Sequence, residues 1–319
     1  MKNFSFILAL FPSLLLVDPF AINPKAFGPL SSSNSLKRCK FDKIYQLGDS
    51  ISDTGNLVIE SPYGSGFLFN QLPYGETLGN PTGRCSNGLL MIDYFASSAG
   101  FPYLNPYQKV GSDFSKGVNF AVAGATVLSS EALMAKGTVS RDGEHSLFMV
   151  GEIGGNDYNY ALLGGKRVED LNNLISDVVH STAEAVRKVI SFGATKIFVP
   201  GNFRIGCHPI YLSIFQTNDS TSYDSNECLT YLNEFAASHN EALQKAIEQL
   251  RTEYPTTSIV YGDYYNAYLS LLLGAEKFGF QQTLRACCGS GGKHNFSIHK
   301  LCGMKGVTTA CPNPDTHTS

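Results

Sequence analysis

Hydrophobic and polar positions along this chain fall into blocks whose period switches between strand and helix. The apolar-aromatic run Phe41 to Leu47 predicts a buried strand, and a Gly48-Asp49 turn follows it. Ser146 to Ile153 predicts a second apolar strand ending in Gly154-Gly155-Asn156-Asp157. From Val168 to Phe192 the positions Leu171, Leu174, Val178, Val179, Ala185 and Ile190 recur at helical spacing. Lys196 to Pro200 predicts another short strand, Cys228 to Tyr254 another helix stopped at Pro255, and Ser258 to Tyr261 a further strand. Asp263 then stands either at a strand end near a site or, the reading we prefer, as N-cap of a helical segment Tyr264 to Gly279. This β-α-β-α-β order implies a parallel sheet with right-handed crossovers and helices on both faces.

Open sheets of this kind keep their ligands at the carboxyl ends of the strands, so chemistry is sought there. Ser50 occupies such a place, in Leu47-Gly48-Asp49-Ser50-Ile51-Ser52-Asp53-Thr54-Gly55-Asn56. A serine hydroxyl attacks esters poorly unless a base and a set of hydrogen-bond donors adjoin it. Further blocks follow in order: Pro81-Thr82-Gly83-Arg84-Cys85-Ser86-Asn87-Gly88, Gly117-Val118-Asn119-Phe120-Ala121-Val122-Ala123-Gly124-Ala125-Thr126, Gly154-Gly155-Asn156-Asp157, Gly206-Cys207-His208-Pro209 and Cys287-Cys288-Gly289. The ordered set resembles the plant GDSL esterase/lipase family, a branch of the SGNH hydrolases, over about Phe41 to Pro314.

The resemblance implies an α/β fold, a flavodoxin-like three-layer α/β/α architecture with a central parallel sheet and the serine after its first strand. It implies a carboxylic-ester hydrolase in which Ser50 is the nucleophile. The Ser50 N–H, the Gly124 N–H and the Asn156 side chain would form the oxyanion hole, and no cofactor is expected. Substrates in the family include short acyl esters, lipids, and phenolic or alkaloid esters, so a small-molecule ester or lipid is the expected partner. The residue types suit those roles: glycine lets backbone approach a substrate closely, and an asparagine amide donates without titrating. Taken without the resemblance, Gly124 and Asn156 read as ordinary turn residues. The aromatic segments Tyr63 to Tyr74 and Tyr103 to Tyr107 are either pocket walls or plain packing.

The family's last block, Trp-Asp-x-x-His-x-Thr, follows a Cys-x-Asn-Pro segment that Cys311-Pro312-Asn313-Pro314 resembles. Only Asp315-Thr316-His317-Thr318-Ser319 follows here, with one residue between Asp and His, and the chain has no Trp. The expectation is that Asp315 and His317 are not a contracted catalytic pair. The chain is expected to be truncated before the triad Asp and His, with the C-terminal helix missing. His180 and His239 fall in helical patterns, His145 and His294 in polar loops, His208 in a turn and His299 between cysteines, and all are expected to be structural or surface residues. Two alternatives to an esterase stay open: an impaired binding or regulatory paralogue, and an acyltransferase using the same serine.

Composition then bounds the setting. The formal net charge of −3 offers no electrostatic footprint for nucleic acid. Lys2 and the apolar run Phe4 to Val17 have the form of a secretory signal, too short to span a membrane comfortably, with cleavage at Ala21 or Ala26. The expected organisation is a signal peptide over 1–26, a flexible lead-in over 27–40 and a single domain over 41–319, secreted from the cell. The eight cysteines, an even number, suit an oxidising compartment and allow up to four bridges, among which Cys207 with Cys228 would close a polar loop containing Asn218. No Cys-x-x-Cys pair occurs, so no metal site is expected. Asn218 and Asn295 stand in glycosylation sequons. Ser52 stands where a Gly-x-Ser-x-Gly nucleophile elbow has glycine, and Gly289-Ser290-Gly291-Gly292-Lys293 lacks phosphate-loop spacing.

Overall fold

The structure, a computed structural model, describes residues 35–62, 66–128, 143–307 and 310–319. The expected signal segment lies outside them. Five strands, β1 (Ile44–Leu47), β2 (Gly117–Asn119), β3 (Leu147–Val150), β4 (Lys196–Pro200) and β5 (Ser258–Gly262), form one sheet in the order β2-β1-β3-β4-β5. Every pairing is parallel; Ile44 lies opposite both Gly117 and Leu147, and Lys196 opposite Ser258. That strand order is the flavodoxin-like one, and the order reverses beside β1. The helices are α1 (Asn56–Glu60), α2 (Met91–Ala99), α3 (Gly155–Leu163), α4 (Val168–Ser191), α5 (Pro209–Ile214), α6 (Thr230–Glu253) and α7 (Tyr264–Leu273).

The pleat sorts each strand's side chains onto two faces, and both are buried. Tyr45, Phe148, Val150, Ile197, Val199 and Ile259 pack against α4 through Val179, Ala183 and Val186 and against α6 through Leu243, Ile247 and Leu250. Their neighbours Ile44, Leu147, Met149 and Phe198 point the other way, onto Ile92, Phe95 and Ala96 of α2 and Tyr264 of α7. Helices therefore cover both faces of the sheet in three layers. Phe148 is completely buried at the centre, where truncation to Ala would cost about 3–5 kcal/mol.

Several expected boundaries were too generous. The strand expected from Phe41 starts at Ile44, and that expected over Ser146 to Ile153 spans only Leu147–Val150. The turn residues after them are drawn into loop hydrogen bonds instead of the ladder. The segment Tyr264 to Gly279 divides at Gly274 into α7 and a 3-10 turn, Ala275–Phe278. The Asp263 side chain accepts from the Asn266 N–H at 3.0 Å, so it caps α7. The lead-in ends in a 3-10 helix, Ser35–Cys39, whose Leu36 packs into the α2 layer. Pattern reading missed β2, only three residues long, and the helices α1, α2, α3 and α5.

Candidate active site

Three loops leave the carboxyl edge of the sheet at the reversal point, one each from β1, β2 and β3. After β1 the chain makes a tight turn in which the Ser52 and Asp53 N–H groups both donate to the Asp49 carbonyl, at 3.1 and 3.0 Å. Ser50 sits half-buried at its apex. Asp53 closes the turn: its carboxylate accepts from the Gly55, Asn56, Leu57 and Ala123 N–H groups at 2.7, 2.6, 3.1 and 2.9 Å. One side chain thereby starts α1 and ties the serine loop to the loop after β2. Asn56 and Asn119 repeat that tie. The Asn56 amide donates to the Asn119 and Ala121 carbonyls at 2.9 Å, and the Asn119 amide to the Ser52 carbonyl at 2.6 Å.

The second loop folds into a turn in which the Ala125 N–H donates to the Val122 carbonyl at 3.0 Å, with Gly124 at φ +85°. Glycine is needed there, since an L side chain at that φ is strained and its Cβ would lie 3.0 Å from the Tyr160 hydroxyl. The third loop enters α3. The Asn156 amide donates to the Ala125 carbonyl at 2.9 Å and lies 3.5 Å from Asp49 Oδ2. Asp157 accepts from the Val127 and Leu128 N–H groups at 2.9 and 3.1 Å, and the Tyr160 hydroxyl donates to the Gly124 carbonyl at 3.0 Å. Ser50, Gly124 and Asn156 are thus brought together by bonds among their neighbours. Among the described residues, the N–H groups of Ser50 and Gly124 have no acceptor.

Several carboxyl groups stand among these loops. Burial pushes the Asp49 carboxyl up to about 7 against the pull of the Ile51 N–H, and the charges of Asp157 and Asp53 add to the rise. Burial also raises Asp53 and Asp157, and raises Glu152 well above the carboxylate range with help from Asp49. Glu152 Oε1 has no partner among the described residues.

All seven histidines are described, and none hydrogen-bonds Ser50. His239 meets the Tyr158 hydroxyl at 2.8 Å, and buried His294 lies 2.7 Å from the Leu284 carbonyl. His145, His180 and His299 are exposed. His317 lies 3.3 Å from Cys311 Sγ and 3.4 Å from the Asn313 carbonyl, on a tail paired with Gln282. The charge of Asp315 is felt at Tyr94 of α2. His208 is likewise a structural residue: its ring stacks 4.8 Å from Tyr268, its Nε2 has no partner among the described residues, and burial lowers it to about 4, so it is neutral at physiological pH.

The sequence profile of GDSL-like lipase/acylhydrolases matches residues 44–315. The chain belongs to that family. Acetylajmalan esterase 2 of Rauvolfia serpentina is 39% identical, over 93% of this chain and 89% of its own length. A GDSL esterase/lipase of Arabidopsis thaliana is 40% identical, over 91% of this chain and 83% of its own. By that resemblance this GDSL chain is a carboxylic-ester hydrolase. Its motif blocks were legible one by one; the roles of Asp53, Asn56, Asn119, Asp157 and Tyr160 in lacing them together were not. The available signal was the density of Asp and Asn just after each predicted strand, where such side chains cap and cross-link loops.

The remaining expectations sort by geometry. Three disulfides form, Cys207–Cys228, Cys287–Cys311 and Cys288–Cys302, while Cys39 and Cys85 are free and exposed. The full set of four bridges is not reached. Asn218 is exposed, whereas the Asn295 amide is turned inward and donates to the Ala286 carbonyl at 2.9 Å. Within the segment read as a pocket candidate, Phe67, Phe69 and Tyr74 pack edge-on against one another. Residues 63–65 of it lie outside the described residues. Among the described residues no helix is long and apolar enough to cross a membrane.

Proposed function

We propose that this protein cleaves small carboxylic esters with Ser50 as nucleophile. The Ser50 Oγ–acyl bond forms as the ester's alkoxy bond breaks, the hydroxyl proton leaves with the alcohol, and water then releases the acid from the acyl-enzyme. What supports this reading is one arrangement: the Ser50 and Gly124 N–H groups, without acceptors among the described residues, next to the Asn156 amide, in three loops cross-linked by buried side chains. Preorganised donors of this kind are each worth about 3–4 kcal/mol of transition-state stabilisation. The names of the relatives, an acetylajmalan esterase among them, favour an ester as the substrate. The three disulfides favour an oxidising compartment, in keeping with secretion, and exposed Asn218 is the better placed of the two sequons.

Hydrolysis of an aryl acetate by purified protein, lost in Ser50→Ala, tests the reading. Equal hydrolysis by the variant would overturn it. A second reading has its own observation, the lack of any histidine on Ser50, and treats the chain as a catalytically impaired binder. A fluorophosphonate probe separates the two. The impaired form labels Ser50 slowly or not at all, since the hydroxyl lacks a base. Rapid stoichiometric labelling would exclude it.

A further inference from the structure

Helix α3 presents three side chains from its first two turns to the Gly124 loop. Asn156 holds the Ala125 carbonyl, Asp157 holds two N–H groups, and Tyr160, one turn beyond Asn156, holds the Gly124 carbonyl at 3.0 Å. Asp157 is buried, but Tyr160 is 57% exposed. Its hydroxyl is anchored beside the candidate oxyanion site while the residue stays largely exposed to solvent. A tyrosine in this state is a preformed surface: two torsions are already fixed, so little side-chain freedom is lost when a flat group stacks on it. Among the described residues of these three loops, the other large apolar ones that are exposed are aliphatic, Ile51 at 39% next to Ser50 and Leu128 at 48% next to the Asp157 bonds.

We propose that Tyr160 is both a positioning residue for the Gly124 turn and the specificity-determining wall of the site, selecting esters that carry a flat aromatic group. The proposal rests on the reading of Ser50 as nucleophile and deepens it by naming the substrate class. The two parts of the side chain divide the work. The hydroxyl fixes the carbonyl of Gly124, so the turn presenting the Gly124 N–H keeps one conformation. The ring contributes stacking, which favours an aromatic partner over an alkyl chain by about three- to tenfold in affinity.

Boronic acids test this without turnover. The Ser50 oxygen bonds to trigonal boron, its proton goes to solvent, and the tetrahedral boronate places a hydroxyl where an oxyanion would sit. Dissociation constants for phenylboronic and butylboronic acid are measured by calorimetry on the full chain, for the parent protein and for Tyr160→Phe, Tyr160→Leu and Ser50→Ala. The parent is expected to bind the phenyl compound about three- to tenfold more tightly than the butyl compound. Tyr160→Phe, losing one hydrogen bond, should weaken both by a similar factor of about five and keep the preference. Tyr160→Leu should weaken both by that factor and abolish the preference. An unchanged preference in Tyr160→Leu overturns the wall, and unchanged affinities in Tyr160→Phe overturn the positioning role, in each case leaving Ser50's role standing. Undiminished binding by Ser50→Ala, or no binding by the parent, overturns the reading of Ser50 and this inference with it.

Discussion

Replacing Asp53 by Asn should unlatch the serine loop, and the structure sets the size of the effect. Oδ1 accepts from Gly55 and Asn56, and Oδ2 from Leu57 and Ala123. An amide keeps one oxygen, so whichever way it turns, two backbone N–H groups lose their acceptor and face an NH₂ group. Each buried donor left unsatisfied costs about 1–3 kcal/mol, which brackets the loss at about 2–6 kcal/mol. One effect works the other way. Burial raises the Asp53 carboxyl despite its four donors, so removing the charge recovers part of the desolvation cost and draws the result toward the lower end. At a urea m-value of about 3 kcal/mol/M, a loss near 3 kcal/mol lowers the unfolding midpoint by about 1 M with m unchanged. A midpoint shift below about 0.3 M would refute the reasoning, because the two lost bonds would then be worth no more than their water equivalents. Fluorophosphonate labelling of Ser50 in the folded variant should also slow, as Ala123 is freed beside Gly124.

Four other outcomes follow from the same geometry. Stability should fall as pH rises from about 4 to about 7: Asp49 holds its proton up to about 7 when folded against 3.8 ordinarily, so its contribution is complete below the lower value and lost through the upper. The loss is of order 4 kcal/mol, and Asp49→Asn should flatten that part of the urea midpoint–pH curve. Gly124→Ala should fold yet abolish boronate binding, because φ +85° and the 3.0 Å approach of Tyr160 force the turn to shift; calorimetry checks it. Opening Cys207–Cys228 by double substitution to Ala, which frees a loop with a 21-residue separation, should cost about 3 kcal/mol in urea unfolding. In protein expressed through a secretory pathway, Asn218→Gln should remove the glycan that an N-glycanase releases, and Asn295→Gln should leave it in place.

What the sequence by itself determined was local and periodic. The runs Lys196 to Pro200 and Ser258 to Tyr261 emerged as strands almost to the residue, because a parallel strand buried on both faces must be apolar at nearly every position. Val168–Ser191 and Thr230–Glu253 were legible because each buries one stripe against the sheet and leaves the other side polar. Ser50 drew notice at a strand end, whereas Gly124 and Asn156 were singled out only by the family resemblance of the blocks around them, since by type alone they read as turn residues. Short elements were not: three-residue β2 has too few positions to show a period. Only the tertiary structure decided that Asp53, lying beside Ser50 in sequence, bonds Ala123 seventy residues away, or that Tyr160 closes over Gly124 from another helix. It also decided that His317 turns to Cys311, and that none of the seven histidines meets Ser50. Hydrogen bonds between loops depend on where strand order reverses and how α3 is aimed, and no spacing along the chain encodes either.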